Sequence, residues 1–456
     1  MDGSDASHSR LLLSGKDARM TDRDQPVRVG PWELAPGIQR SNFFALLGAA
    51  FFSIGLLTLV GNLRAYLFNE MLAVPPDVQG RISGLLDIMS EIPALLLSSL
   101  IGAASDRLGR RVLYASGFLI LALSYFLFPF VSYGPSLFLM VVVLACGSTL
   151  IAAMLGTVIA DYPRETSRGK LVGICFFLNG LGVASLVGVA SQLPKLFQAQ
   201  GLDAATAGRY TYWTVAALCL IPMIIVGRGL ARGTPAARKA DDTEPTPGLF
   251  ATLAIGLQAA RDLRVRLAYM SAAVSRASLS IISAFFFLWM VKAGEAQGMS
   301  TSEAYARSGS IFATIQIAAT FWAVIVIFFI DRINRVLTMA IASALACASY
   351  TLFGLMENPF QPIVYAAAVF LGIGEMSGVL ASQALVGQVA PVSGRGAVIG
   401  VFTLCGSVGI FLAAAVGSWL FDVWRPSAPY VIMGVTSGLL CIAATYVFRA
   451  TRNLPA

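Results

Sequence analysis

Twelve long apolar stretches divide this sequence, at roughly 42–67, 79–105, 111–132, 135–160, 170–194, 210–227, 267–291, 305–330, 336–356, 361–387, 396–421 and 429–448. A helix needs about 20 such residues to cross the ~30 Å hydrocarbon layer of a bilayer. No water is available there to satisfy backbone polar groups, so a spanning segment is either a helix or a strand of a closed barrel. Barrel strands alternate apolar and polar residues, and these stretches do not. Hydrophobic residues make up 57% of the chain and charged residues only 12%, where a soluble domain carries about 25% charged residues. A chain this apolar could not cover its own surface in water. The predicted fold class is an all-α membrane protein with twelve transmembrane helices, surrounded by a lipid bilayer.

The net charge of +8 would suit nucleic acid in a soluble protein, but here the placement of the charges matters more than their sum. Most of the 32 Lys and Arg fall on the side of the two termini. The other side holds Arg64, Arg81, Lys195, Arg209, Lys292, Arg307 and Arg425, and Arg276 lies within a span. This is the positive-inside pattern. It predicts a multi-pass protein of a bacterial-type inner membrane with both termini in the cytoplasm, and no nucleic-acid partner. Arg64 and Lys292 read as anchors at the outer interface.

Residues 1–40, charged and rich in Gly and Pro, read as a disordered cytoplasmic tail in which either Met1 or Met20 could be the start. Residues 229–264 read as a cytoplasmic linker, with a short surface helix expected at its end. The linker separates an N-terminal six-helix bundle (41–228) from a C-terminal one (265–450). All six cysteines fall inside spans and none has a CxxC partner, so neither disulfides nor a metal cluster are expected. His8 is the only histidine. Any proton carrier in the membrane must therefore be a carboxylate. No nucleophile–base pair, metal ligand set or phosphate loop is evident, so no cofactor is expected and an enzyme is the least favoured reading.

The two halves look related. The loop after the second span reads Gly102-Ala-Ala-Ser-Asp106-Arg107-Leu-Gly109-Arg110-Arg111, and the loop after the eighth reads Asp331-Arg332-Ile-Asn334-Arg335. After the fourth span, Pro163 is followed by Arg168-Gly169-Lys-Leu-Val-Gly173; after the tenth, Pro391 is followed by Arg395-Gly396-Ala-Val-Ile-Gly400. Two motifs recur in the same order at corresponding loops, the mark of transporters built from internal repeats around a central site.

The first of these loops resembles the signature loop of the major facilitator superfamily, and the two-times-six layout extends that resemblance over nearly all of residues 41–450. The resemblance implies two pseudo-symmetric six-helix bundles that rock about a central cavity, giving alternating access. It also implies a conformational gate made of Gly102, Asp106, Arg107, Gly109, Arg110 and Arg111, with Asp161 as the acidic partner at the end of the fourth helix. The second copy (Asp331, Arg332, Arg335) departs from the pattern: Ile327 and Asn334 stand in the glycine positions, and Gln388 stands where Asp161 would be expected. A weaker second latch is expected. The fifth helix also lacks the Gly-Pro pair usual in drug–proton antiporters of this superfamily.

A charge at mid-bilayer costs about 2.5–3.5 kcal/mol on insertion scales, so residues bearing it usually line a wet cavity. Four candidates stand inside spans: Asp87, Glu91, Arg276 and Glu375. At 1.5 Å per residue, Arg276 lies ~15 Å, Glu375 ~20 Å and Glu91 ~22 Å from the inner ends of their helices. Each continues into a stripe of small or polar residues. Asp87 and Glu91 share a face with Gly84, Ala94 and Ser98; Arg276 aligns with Ser280 and Ser283; Glu375 aligns with Gly378 and Ser382. By the repeat, Gln316 corresponds to Glu91 and Ser148 to Glu375. Asp87 at a solvated outer rim, a structural Arg276–Glu375 ion pair and a structural hydrogen bond at Glu91 are the bland alternatives.

The expected function is proton-coupled secondary transport of a small organic solute, anionic ones included, by a monomer. Glu91 or Glu375 would carry the proton and Arg276 would attract the anion. The alternatives are proton-antiport efflux of lipophilic or cationic compounds and a non-transporting sensor on the same fold.

Overall fold

The computed structural model describes residues 27–232, 249–330, 332–391 and 395–451; a few side chains within helices, that of Asp106 among them, lie outside the description. Twelve long helices follow one another. They are α1 (Arg40–Asn62, continued through Arg64–Tyr66 and a wider π-helical turn at Leu67–Met71), α2 (Gln79–Leu108), α3 (Arg110–Leu127), α4 (Pro135–Asp161), α5 (Arg168–Ala199), α6 (Ala204–Gly229), α7 (Leu263–Glu295), α8 (Thr301–Ile330), α9 (Arg335–Gly354), α10 (Ile363–Val389), α11 (Arg395–Val423) and α12 (Ala428–Thr451). Among the described residues, eleven helices are long and apolar enough to cross a membrane. The twelfth, α2, has 30 residues and carries Asp87 and Glu91 within it. Large apolar side chains such as Leu96, Phe130, Leu139 and Ile442 are exposed around the bundle. Lipid is the solvent that makes such a surface stable.

The two halves repeat one packing scheme. In α1–α6, α1 lies on α5 and α6, α3 on α4 and α6, and α2 on α4. In α7–α12, α7 lies on α11 and α12, α9 on α10 and α12, and α8 on α10. The close approaches are repeated too. A Cβ on Gly182 would overlap the Phe51 carbonyl at the α1–α5 contact, and one on Gly409 would overlap the Ala273 carbonyl at the equivalent α7–α11 contact. Only glycine lets these backbones come so near. The halves join along two equivalent seams, α5 on α8 and α2 on α11.

Those seams are closed on the face away from the termini. There Lys292 Nζ donates to the Pro76 carbonyl at 2.5 Å. Asp422 accepts from the Gly80 and Arg81 amides at 2.9 and 2.8 Å. Ser302 donates to Gln198 at 2.7 Å, and Asn69 donates to Glu295 at 3.0 Å. The ring of Tyr66 meets that of Tyr305 with centroids 5.8 Å apart. Lys292, expected as an interfacial anchor, is thus one of the bonds closing this face. Towards the termini the helices part: Gly102, Gly156, Gly169, Gly173, Gly387, Gly396 and Gly400 all look onto open space.

The expected tail differs in part. Residues 1–26 lie outside the described residues, as do both candidate starts. Residues 27–39 are ordered: Arg28–Val29 (β1) pairs antiparallel with Trp32–Glu33 (β2), and Leu34 bridges Pro163. The cause is anchoring to the α4–α5 turn. The Ala35 amide donates to the Tyr162 carbonyl at 2.9 Å, the Arg164 amide to the Glu33 carbonyl at 2.9 Å, and the Glu33 amide to Ser167 Oγ at 2.9 Å. Leu34 is fully buried beneath this strap. In the linker, residues 233–248 lie outside the described residues. The helix Leu249–Ala259 packs on α11 and is tied to α7 by a 2.7 Å bond from Tyr269 Oη to the Gly256 carbonyl.

Candidate functional site

Between the halves lies a cavity of about 570 Å³, lined by α1, α2, α4, α7 and α11. Its wall is largely apolar, with Leu57, Val60, Leu144, Leu279 and Ile410, but four charges face it: Arg64, Asp87, Glu91 and Arg276. Closure of the far face leaves the termini side as its opening. Asp87, Glu91 and Ala94 follow one face of α2, and Arg276, Ser280 and Ser283 one face of α7, as their helical spacing predicts. Gly84 instead packs against Ala414 and Ser418 of α11.

The charges pair across helices. Arg64 is buried and meets Asp87 at 2.5 Å; it also donates to the carbonyl and hydroxyl of Ser83, each at 3.2 Å. This corrects two expectations, Arg64 as an anchor at the outer interface and Asp87 as a solvated rim residue. The signal that could have found the pair was Arg64 itself, a long cation placed one helix away at the level of Asp87. Ser280 of α7 donates to the other oxygen of Asp87 at 3.2 Å, so this cluster joins the two halves.

The second pair is looser. Glu91 accepts from Ser407 of α11 at 2.6 Å and meets Arg276 at 3.5 Å. The Arg276 side chain remains 45% exposed, whereas the Glu91 side chain is 12% exposed. The Arg276–Glu375 pairing considered from the sequence does not form. Arg276 projects into the cavity beside the Gly406 surface of α11, and Glu375 lies within the C-terminal half. Ser148, the repeat counterpart of Glu375, lines the cavity. Gln316, the counterpart of Glu91, is not among its lining residues; its carbonyl accepts from Thr320 Oγ1 on α8 at 2.6 Å.

The expected gate residues lie at the termini face. Gly109 adopts φ +87° between α2 and α3, a conformation that favours glycine. The next residue, Arg110, is buried and contacts Asp161 of α4 through Nε at 3.1 Å and Ser105 Oγ through a second nitrogen. Arg111 donates to the Gly227 carbonyl in the last turn of α6. These bonds tie α2, α3, α4 and α6 to one another within the N-terminal half. Gly102 faces open space and Arg107 is exposed. In the second copy Asp331 lies outside the described residues, Arg332 is exposed, and Arg335 begins α9. Tyr162, just past α4, is buried under the strap, which pushes its phenol up to about 12. It stays neutral and accepts from the Ala231 amide at 3.0 Å.

No group of three or more His, Cys, Asp or Glu is placed to hold a metal among the described residues. The cysteines are free.

Comparison with known proteins agrees with this architecture. The chain is 24% identical over 410 residues to the magnetosome protein MamH of Paramagnetospirillum magneticum, covering 87% of this chain and 89% of that one. It is 25% identical over 403 residues to the magnetosome protein MamZ of Magnetospirillum gryphiswaldense, of which it spans 59%. Among solved structures, a D323A mutant of the nucleoside transporter NupG superposes with a TM-score of 0.70 at 15% identity, over 90% of this chain and 99% of that one. A D-xylose–proton symporter does so with 0.65 at 16% identity, over 90% and 98%. A bacterial homologue of the human lysosomal transporter Spinster, in an inward-facing and unoccupied conformation, gives 0.61 at 16%, over 91% and 98%. The sequence model of the Major Facilitator Superfamily matches residues 41–360 and 306–456, nearly the whole of the two six-helix halves, and the chain belongs to that superfamily.

Proposed function

We propose that this protein is a proton-coupled secondary transporter of a small organic solute bearing an anionic group, working by alternating access as a monomer in a bacterial inner membrane. The excess of Lys and Arg on the termini side supports a cytoplasmic location for both termini, so the cavity here opens inward. The observation that carries the reading is Arg276: a half-exposed guanidinium at mid-membrane, facing a solute-sized cavity and held by Glu91 at only 3.5 Å. An arginine suits a carboxylate or phosphate, which it grips with two parallel hydrogen bonds.

Coupling follows from the pair. While Glu91 is ionised it competes with the solute for Arg276. Protonation of Glu91 removes the competitor and frees the guanidinium for an anion. Solute and proton then load together, and the cavity charge is the same loaded as empty. Arg64–Asp87 keeps its own charge balanced and holds α1 against α2 beside the site.

The test is pH change inside proteoliposomes challenged with pools of organic anions. Wild-type protein should show solute-driven proton movement. Arg276→Ala should lose it, and Glu91→Gln should still move solute but without a pH response. Proton coupling unchanged in Glu91→Gln would defeat this mechanism. The apolar wall and the two cavity carboxylates support a second reading, export of lipophilic cations. In that case cation pools would drive the pH change, and Glu91→Gln would abolish transport altogether.

A further inference from the structure

Glu375 stands apart from the cavity just described. It is 3% exposed, and its Oε2 has no hydrogen-bond partner. The described residues place no cation within ion-pair distance of it. It faces a second, much smaller void of about 10 Å³ enclosed by α7, α9, α10 and α12. That is room for one water-sized occupant. Around the void stand the hydroxyls of Ser275, Ser278, Ser343, Ser437 and Tyr350.

The hydrogen-bond directions decide what such a void accepts. Ser275 donates to the Gly378 carbonyl at 3.2 Å, Ser278 to the Ser275 carbonyl at 2.9 Å, and Ser343 to the Met339 carbonyl at 2.7 Å. Tyr350 is directed at the Ser278 carbonyl at 3.5 Å. Each has committed its proton to backbone, so each presents only lone pairs to the void. The remaining ionisable neighbour, Tyr430, stacks on Tyr350 with ring centroids 6.2 Å apart, and its buried Oη has no hydrogen-bond partner among the described residues and keeps a free proton. One carboxylate facing four hard oxygen acceptors, with Ser437 beside them, is a cation site in its donor set. A buried carboxylate without a counter-charge is costly, so the acid holds either a proton or a bound cation.

We propose that the Glu375 void is a site for one dehydrated monovalent metal cation, with Na⁺ as the probe ion, inside the C-terminal half and separate from the solute cavity. The single carboxylate matches a single positive charge, and among the described residues lining the void there is no second acid to hold a divalent ion. α7 is the wall between the two sites. Ser275 and Ser278 face the ion, and Arg276, Leu279 and Ser280 face the cavity. An ion drawing in Ser275 and Ser278 therefore bears directly on the helix that carries Arg276. The site does not depend on the reading of the solute, because its test measures the ion alone.

The test is equilibrium binding of radioactive ²²Na⁺ to the purified full-length protein at alkaline pH. It is paired with melting temperature in NaCl, KCl and choline chloride at equal ionic strength. Wild-type protein should bind one Na⁺ and melt higher in NaCl than in choline chloride. Glu375→Gln should lose both effects. Ser343→Ala, which leaves the acid in place, should weaken Na⁺ binding about tenfold, and Glu91→Gln should leave it unchanged. Equal melting in all three salts, or Na⁺ binding that survives in Glu375→Gln, overturns the proposal. Glu375 that responds to pH alone, with no Na⁺ bound at any pH, also overturns it and makes the residue a proton site.

Discussion

The α2–α3 corner and its repeat counterpart, the α8–α9 corner, solve one geometric problem in two ways. In the first, Gly109 turns the chain through positive φ, and Arg110 and Arg111 enter the protein to reach Asp161, Ser105 and the end of α6. In the second, Asn334 at φ −55° caps α9, its Oδ1 accepting from the Val336 and Leu337 amides at 3.0 and 3.4 Å. Asn334 looked like a lost glycine in the sequence. In the fold it is a gain of a different kind, because a helix start exposes amides that a short polar side chain can satisfy. One corner is locked by buried charge and the other by a local cap at the solvent. The first corner is therefore bonded across four helices, while the described bonds of Asn334 serve the start of its own helix. The same asymmetry runs deeper in the membrane. The N-terminal half contributes three of the four cavity charges, and the C-terminal half keeps its own acid, Glu375, out of the cavity.

This contrast can be broken or sharpened by four measurements. The largest effect should come from Arg110→Ala, which removes the buried guanidinium from Asp161 and Ser105 and should cost about 3–5 kcal/mol of stability, as breaking buried pairs does. Denaturant unfolding in detergent reads it, and a loss below 1 kcal/mol would erase the distinction between the corners. Arg64→Ala should approach the same cost, whereas the double variant Arg64→Met with Asp87→Leu should recover most of it, since removing both charges leaves neither unpaired. The glycine contacts, by contrast, should be symmetric. Gly182→Ala and Gly409→Ala should each cost about 1–3 kcal/mol by overpacking equivalent seams, and a marked difference between them would show that the halves are not packed alike. The smallest effect should come from Asn334→Ala, about 1 kcal/mol for a lost cap. A loss as great as that of Arg110→Ala would mean that the second corner holds more than its own helix.

Much of the fold was legible in the sequence because lipid imposes simple rules. Length and hydropathy gave the twelve helices, and the recurrence of two loop motifs gave the repeat. Helical spacing put Asp87, Glu91 and Ala94 on one face of α2, and Arg276 with Ser280 and Ser283 on one face of α7. The strap at Arg28–Ile38 was not legible. It is a short mixed run broken by Gly30, Pro31, Pro36 and Gly37, and it is ordered because the α4–α5 turn offers backbone partners and a place to bury Leu34. The partners of the membrane charges were not legible either. Depth along a helix fixes how far in a residue lies, and both Glu91 and Glu375 were deep enough to meet Arg276.

What the sequence determined by itself was the solvent, the helices and their repeat, and the requirement that any membrane proton carrier be a carboxylate. These follow from composition and from periodicities that each helix carries alone. Which acid meets which arginine, which face of α7 looks onto the cavity and which onto the small void, and on which side the seams are closed were decided only by the tertiary structure. Those depend on the rotation of one helix against another, and that rotation is set by close glycine contacts between elements far apart in the chain.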